Sequence, residues 1–178
     1  QGVSSAASDV YKRQILFVVY SCSQDTSIDR NDLIEKAGAP LLNGLGSHSF
    51  TISSKVEGVQ DYFNQGLIMA FAFNHAESIR SFKAAQKLDP NCAICFRGEA
   101  LALGPNINVT SDGKAIMSPQ ERLDAFERTN KAMSLIEFAS PKEKDFILTL
   151  KSRYDGDVNS SRVPPVSYTH LTLPTILL

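Results

Sequence analysis

From Glu57 onward the apolar residues return every three or four positions, and short breaks divide them into segments of similar length. Val59, Tyr62, Phe63, Gly66, Leu67, Met69, Ala70 and Phe73 form one stripe, and Asn74-His75 interrupts it. A second stripe runs through Ala76, Ile79, Phe82, Ala85 and Leu88 to Asp89-Pro90. That period is helical, not the alternation of a half-buried strand. The proline stops the second segment, because the residue before a proline avoids the helical region. Two such helices joined by a tight turn form an αα-hairpin. The pattern starts again at Ala93–Leu103, with Phe96 as its large residue and Ala100 as its small one, and Gly104-Pro105-Asn106 closes it. Ser118-Pro119-Gln120-Glu121 is a helix start: serine N-cap, proline at N1, glutamate at N3. It leads the apolar face Leu123, Phe126, Ala132, Met133 and Ile136. Ser140-Pro141-Lys142-Glu143 repeats the signal before Phe146, Ile147, Leu150 and Tyr154.

Within the first hairpin, Tyr62, Gly66, Ser78, Phe82, Ala85 and Pro90 stand at the offsets of a tetratricopeptide repeat spanning Val59–Cys92. The small residues let the two helices approach, the aromatic fills the space between them and the proline ends the second. Gln65 stands where that repeat has leucine, Met69 where it has tyrosine, and Phe73 where it has a glycine near the turn. Gly46-Ser47-His48-Ser49-Phe50, Phe73-Asn74-His75-Ala76-Glu77, Cys92-Ala93-Ile94-Cys95 and Ala102-Leu103-Gly104-Pro105-Asn106-Ile107-Asn108 resemble the N-terminal part of large bacterial tetratricopeptide-repeat proteins. The resemblance covers most of residues 42–155. It implies an all-α, TPR-like α-solenoid of antiparallel helix pairs and brings no catalytic residues. A lone repeat cannot bury its own apolar face, so stacked neighbours are expected.

Both ends resemble translated sequencing adapter. Ser4 to Gln14 matches one strand of a tagmentation adapter residue for residue, and Val166 to Thr175 matches its reverse complement. Residues 1–14 and 166–178 are therefore read as fusion scars and set aside. The remaining piece, about Ile15–Pro165, is expected to belong to a longer protein. Setting aside Lys12, Arg13 and Asp9 takes the formal net charge from -1 to -2. That balance speaks against nucleic acid, which calls for a basic face.

Ile15-Leu16-Phe17-Val18-Val19-Tyr20 is an unbroken apolar run, after which the chain turns polar at Ser21-Cys22-Ser23. It is far short of the roughly 18 residues that span a bilayer. A short apolar run ending in a small residue fits the end of a secretory signal. Val19-Tyr20-Ser21-Cys22 resembles a bacterial lipobox, which implies a lipidated Cys22, a membrane anchor and a place in the cell envelope. Failing that, the run is a buried strand and the protein cytoplasmic. The organisation expected is a signal remnant and tether over 15–30, an irregular extension over 31–56, helical repeats over 57–155 and a linker over 156–165.

Cys92 and Cys95 are the sharpest chemical feature. Cys-x-x-Cys serves as redox pair, half a zinc site, haem attachment or structural disulfide. Haem attachment needs a histidine next, where Phe96 stands. Zinc needs two more ligands; a helix of about a dozen residues, roughly 18 Å, separates His75 from Cys92, and His48 alone leaves the set one short. A thioredoxin-type motif opens a helix, as this one does, but follows a strand. Export would favour a disulfide, and lipidation of Cys22 would leave an even pair. Buried free thiols remain the other structural alternative. His48 and His75 fit packing or capping roles, with Asn74 as N-cap.

The stretch Gly104–Met117 is longer than the usual helix–helix connection, and Asn106 and Asn108 are its candidate binding groups. No nucleophilic triad, phosphate loop or catalytic carboxylate pair is legible, and no cofactor or metal is expected. The expected function is a scaffold binding a protein or peptide partner on a concave helical face. The alternatives are thiol–disulfide redox work through Cys92 and Cys95, or service to a catalytic domain further along.

Overall fold

A computed structural model describes residues 29–104, 110–111, 114–115, 117–151 and 153–154. The chain is all-α: α1 (Arg30–Ala37), α2 (Val59–Phe71), α3 (His75–Leu88), α4 (Ala93–Ala102), α5 (Pro119–Ser134) and α6 (Pro141–Lys151). A 3-10 turn, Ile136–Phe138, links the last two, and Thr110–Ser111 pairs antiparallel with Lys114–Ala115 in a two-residue ribbon.

The helix starts follow from local chemistry. Asn74 Oδ1 accepts from Glu77 N at 3.3 Å and opens α3. Ser118 Oγ accepts from Glu121 N at 3.2 Å while Glu121 Oε2 accepts from Ser118 N at 2.7 Å, a closed capping box. Between α2 and α3, Phe73 takes the left-handed conformation, φ 59°. That conformation costs a non-glycine residue about 1 kcal/mol or more.

The extension over 31–56 is not irregular throughout, because Arg30–Ala37 forms α1. Only Leu33 and Ala37, one turn apart, are buried in it, which is too little periodicity to announce a helix. Gly38 ends it in the left-handed region, φ 71°, with its N–H on Ile34 O at 2.8 Å. Leu33 packs onto Gly58, where a Cβ would fall 2.4 Å from Leu33 Cδ1. A glycine is required there on both counts, since its φ is 80°.

Successive helices pack as neighbours from α2 to α5; α6 rests on α4 and α5, and α4 also touches α2. α4 is the hub. Nine of its ten residues are buried, including Arg97 and Glu99. Phe82 is fully buried in the main core between two glycines: Cβ atoms on Gly66 and Gly98 would lie 2.9 and 2.4 Å from its ring. A smaller core of Ala100, Ala125, Leu150 and Tyr154 closes the other end.

The buried line of α5 differs from the expected face. Ala125, Thr129 and Ala132 are buried, while Leu123, Phe126 and Met133 flank them half-buried. Small residues occupy the line of closest approach because they let α5 settle onto α4.

Candidate functional site

Between α1 and α2 the chain crosses the side of α2 as an extended strap, held by amide side chains. Gln65, buried in α2, accepts from Leu42 N at 2.7 Å and donates to Pro40 O at 3.0 Å and Ser81 Oγ at 2.9 Å. Five residues nearer the helix start, Gln60 accepts from Ile52 N at 3.0 Å and donates to Phe50 O at 2.9 Å. Each glutamine thus takes a carbonyl at one strap residue and the N–H two residues on, along one edge of an extended chain. Asn64 Oδ1 accepts from Phe50 N at 3.1 Å and its Nδ2 donates to Ser49 Oγ at 3.1 Å.

The strap's side chains alternate. Phe50 points in, centroid 6.0 Å from Phe63 and 5.3 Å from Phe146, with Lys142 Nζ 4.7 Å above its ring. Thr51 is exposed and Ile52 is 4% exposed. Ser53 then reaches α6: its N–H donates to Glu143 Oε1 at 2.9 Å and its Oγ to Phe138 O at 3.2 Å. Glu143 is fully buried, and its other oxygen accepts from Ser140 N at 2.6 Å. Arg97 of α4 sits over the Phe146 ring, 5.3 Å from its centroid. The groove is therefore walled by α2 and α6, with Arg97 of α4 backing the Phe146 ring, and residues 50–53 fill it.

The middle of the strap stands off. Gly44 and Gly46 have φ of 77° and 87°, and a Cβ on either would meet nothing within 4 Å. Beneath them lies a pocket of about 400 Å³ bounded by Arg30, Asn43, His48, Asp61, Asn64 and Ile68 among others. Arg30 Nη2 donates to Leu41 O and to Asn43 Oδ1, pinning the near edge.

The repeat-signature residues come together in the first hairpin. Tyr62, Ser78, Phe82 and Ala85 are fully buried. Ser78 Oγ donates to Gly66 O at 2.7 Å, and Tyr62 Oη donates to Ala39 O at 2.5 Å. Burial raises the Tyr62 phenol above its usual 10.0, against a smaller lowering by the Arg30 charge. Pro90 is exposed just past α3.

Cys92 and Cys95 are joined by a disulfide, with Cα atoms 5.3 Å apart, at the start of α4. Cys92 is 5% exposed and Cys95 fully buried. Behind them, the Glu99 carboxylate, also buried, accepts from Gln86 Nε2 at 2.7 Å, with Arg128 Nε at 3.4 Å and Lys83 Nζ at 3.7 Å. That group ties α3, α4 and α5 together.

The histidines lie apart in the sequence and serve different neighbours. His48 meets Phe71 edge-on at 6.0 Å, and His75 Nδ1 lies 3.0 Å from Ala102 O. Among the described residues no group of three or more His, Cys, Asp or Glu is placed to hold a metal ion. None of their helices is long and apolar enough to cross a membrane. Cys22, Asn106 and Asn108 lie outside the described residues.

Of the residues that build and fill the groove, the sequence marks Gln65, Phe50 and Glu143 only as a departure from the repeat, part of a resemblance and a helix start, and Gln60, Asn64 and Ile52 not at all. The signal was there in part: three amides sit inside an apolar stripe, one of them in a leucine's place. Compared with protein-family models, curated proteins and solved structures, the chain gives no match.

Proposed function

We propose that this chain is a tetratricopeptide-like scaffold that binds extended protein segments on the face formed by α2, α4 and α6. The observation that carries this reading is the paired amide grip: Gln65 on Pro40 O and Leu42 N, Gln60 on Phe50 O and Ile52 N. Contacts to backbone accept many sequences, while a pocket for the alternate side chain adds selectivity. That is binding chemistry, and the leading reading is not enzymatic. Lipidation of Cys22 would hold such a scaffold at a membrane surface in the cell envelope. Display of a random peptide library against the full chain tests the scaffold. Selected segments should protect α2 and α6 from crosslinking; a library that yields no binder, or binders elsewhere, overturns it.

The second reading is thiol–disulfide exchange, favoured by a bonded Cys-x-x-Cys opening a helix. Burial of Cys95 weighs against it, since exchange needs an accessible sulfur. Alkylation before and after mild reduction separates the two. Cycling near the glutathione poise supports redox work, and resistance supports a staple.

A further inference from the structure

We propose that the groove between α2 and α6 recognises an extended partner segment of the pattern aromatic–x–aliphatic–Ser, and that the chain's own Phe50–Ser53 closes it until such a segment displaces them. This rests on the scaffold reading above and adds the partner's chemistry and a means of control.

The seated strap supplies the pattern. Position one is an aromatic ring, wedged between Phe63 and Phe146 under the Lys142 cation. Position two faces solvent and is free to vary. Position three is an aliphatic side chain buried to 4%. Position four gives its N–H to Glu143 and its hydroxyl to Phe138 O. At the first and third positions Gln60 and Asn64 bind main-chain atoms, which another chain can offer equally; only the Asn64 bond to Ser49 Oγ, one residue earlier, uses a strap side chain. Nothing in this grip requires that the segment be covalently joined to α2.

The strap is also built to leave. Its two gripped ends, at 40–42 and 50–53, are joined by residues that are mostly exposed, with left-handed glycines at 44 and 46 bordering open space. Such a connection lets the inner end lift while the outer end stays on Gln65. A competing segment then meets a groove whose availability equals the fraction of time the strap is off, and apparent affinity falls by that fraction.

The probe is a fluorescent peptide of residues 48–55, HSFTISSK, titrated into the full chain. Wild type should bind it at least about tenfold more weakly than a Phe50→Ala, Ile52→Ala variant of the chain, whose groove is emptied. Adding Gln60→Ala to that variant should lose about tenfold again, the value of a lost amide pair, whereas Lys83→Ala should change nothing. A variant that keeps its helical circular dichroism yet refuses the peptide overturns the proposal. Should the variant unfold, hydrogen exchange on wild type decides. The Phe50, Ile52 and Ser53 amides must exchange faster than those of α3 and α4. Exchange only through global unfolding means the strap never lifts, and the proposal fails. A library-selected segment that binds wild type and the emptied variant equally well overturns displacement while leaving the scaffold reading intact.

Discussion

The ring of Phe82 fills the space that a side chain on Gly98 would need: a Cβ there would stand 2.4 Å from Phe82 Cε1. Since both lie in packed helices, neither can yield cheaply. Gly98→Ala should therefore destabilise by about 1–3 kcal/mol, against the helix propensity it gains. Gly66→Ala, at 2.9 Å from the same ring, should cost less. Thermal denaturation of the two variants checks the order, at about 2–4 °C per kcal/mol for a chain of this size. A Gly98→Ala protein as stable as wild type would refute this packing.

Gln65→Leu puts an apolar side chain of similar size in its place and removes three bonds, to Leu42 N, Pro40 O and Ser81 Oγ. Leu42 lies at the surface, 40% exposed, so water can approach the strap there once the amide is gone. The net cost should be near 1 kcal/mol, with the Leu42 amide losing exchange protection while α3 and α4 keep theirs. Uniform loss across the helices would contradict a strap-local role.

Glu143→Gln removes one of the acceptors that hold Ser53 N and Ser140 N. Bonds to a carboxylate are worth about 1.5–3 kcal/mol each, so the isosteric change should lower the unfolding free energy by roughly that much, read as a lower urea midpoint at unchanged slope. Glu143→Leu, which strands both donors, should cost clearly more. Equal midpoints for the two variants would show that these bonds do not matter.

Tyr62 sets a limit at high pH. Its phenol titrates above 10.0 in the fold because burial disfavours the phenolate, while the unfolded chain ionises at the usual value. The stability it contributes is complete below pH 10.0 and declines as pH rises toward and through its folded value. Ionisation also removes the donor held by Ala39 O. Urea unfolding from pH 9 to 11.5 should show the decline in wild type and a shallower one in Tyr62→Phe. Parallel curves would dismiss Tyr62 as the source.

Reduction should be hard in the folded state and modest in consequence. A loop closed over three residues of separation yields at most about 2 kcal/mol of entropic stabilisation. Mild dithiothreitol should leave Cys92 and Cys95 unalkylated until urea is added. Rapid labelling without urea would move the pair to the redox reading.

How much of this was legible depends on which atoms hold each part. The helices from Val59 to Lys151 announce themselves because their side chains bury at helical spacing, and because Asn74, Ser118 and Ser140 carry cap chemistry in their own side groups. α1 escaped because Leu33 and Ala37 give only a single turn. The closest line of α5 escaped because small residues, not large ones, mark tight approach. The strap escaped for a deeper reason: residues 40–42 and 50–53 are held largely through main-chain atoms, which every residue has, and the alternation Phe50–Thr51–Ile52 is too short to read as a period. What could be read lay in the partner. Gln65 in a leucine's place is a buried amide that must find donors and acceptors somewhere.

Ser53 and Glu143 meet across 90 positions of sequence. During synthesis the earlier residue leaves the ribosome long before the later one exists, so the strap's last latch waits on α6. A nascent chain halted before α6 would present Phe50 without the Phe146 ring and Ser53 without the Glu143 carboxylate. Docking of α6 is thus what locks the strap's inner end, and a substitution that loosens α6 reaches residues 50–53 although they lie on the far side of the sequence.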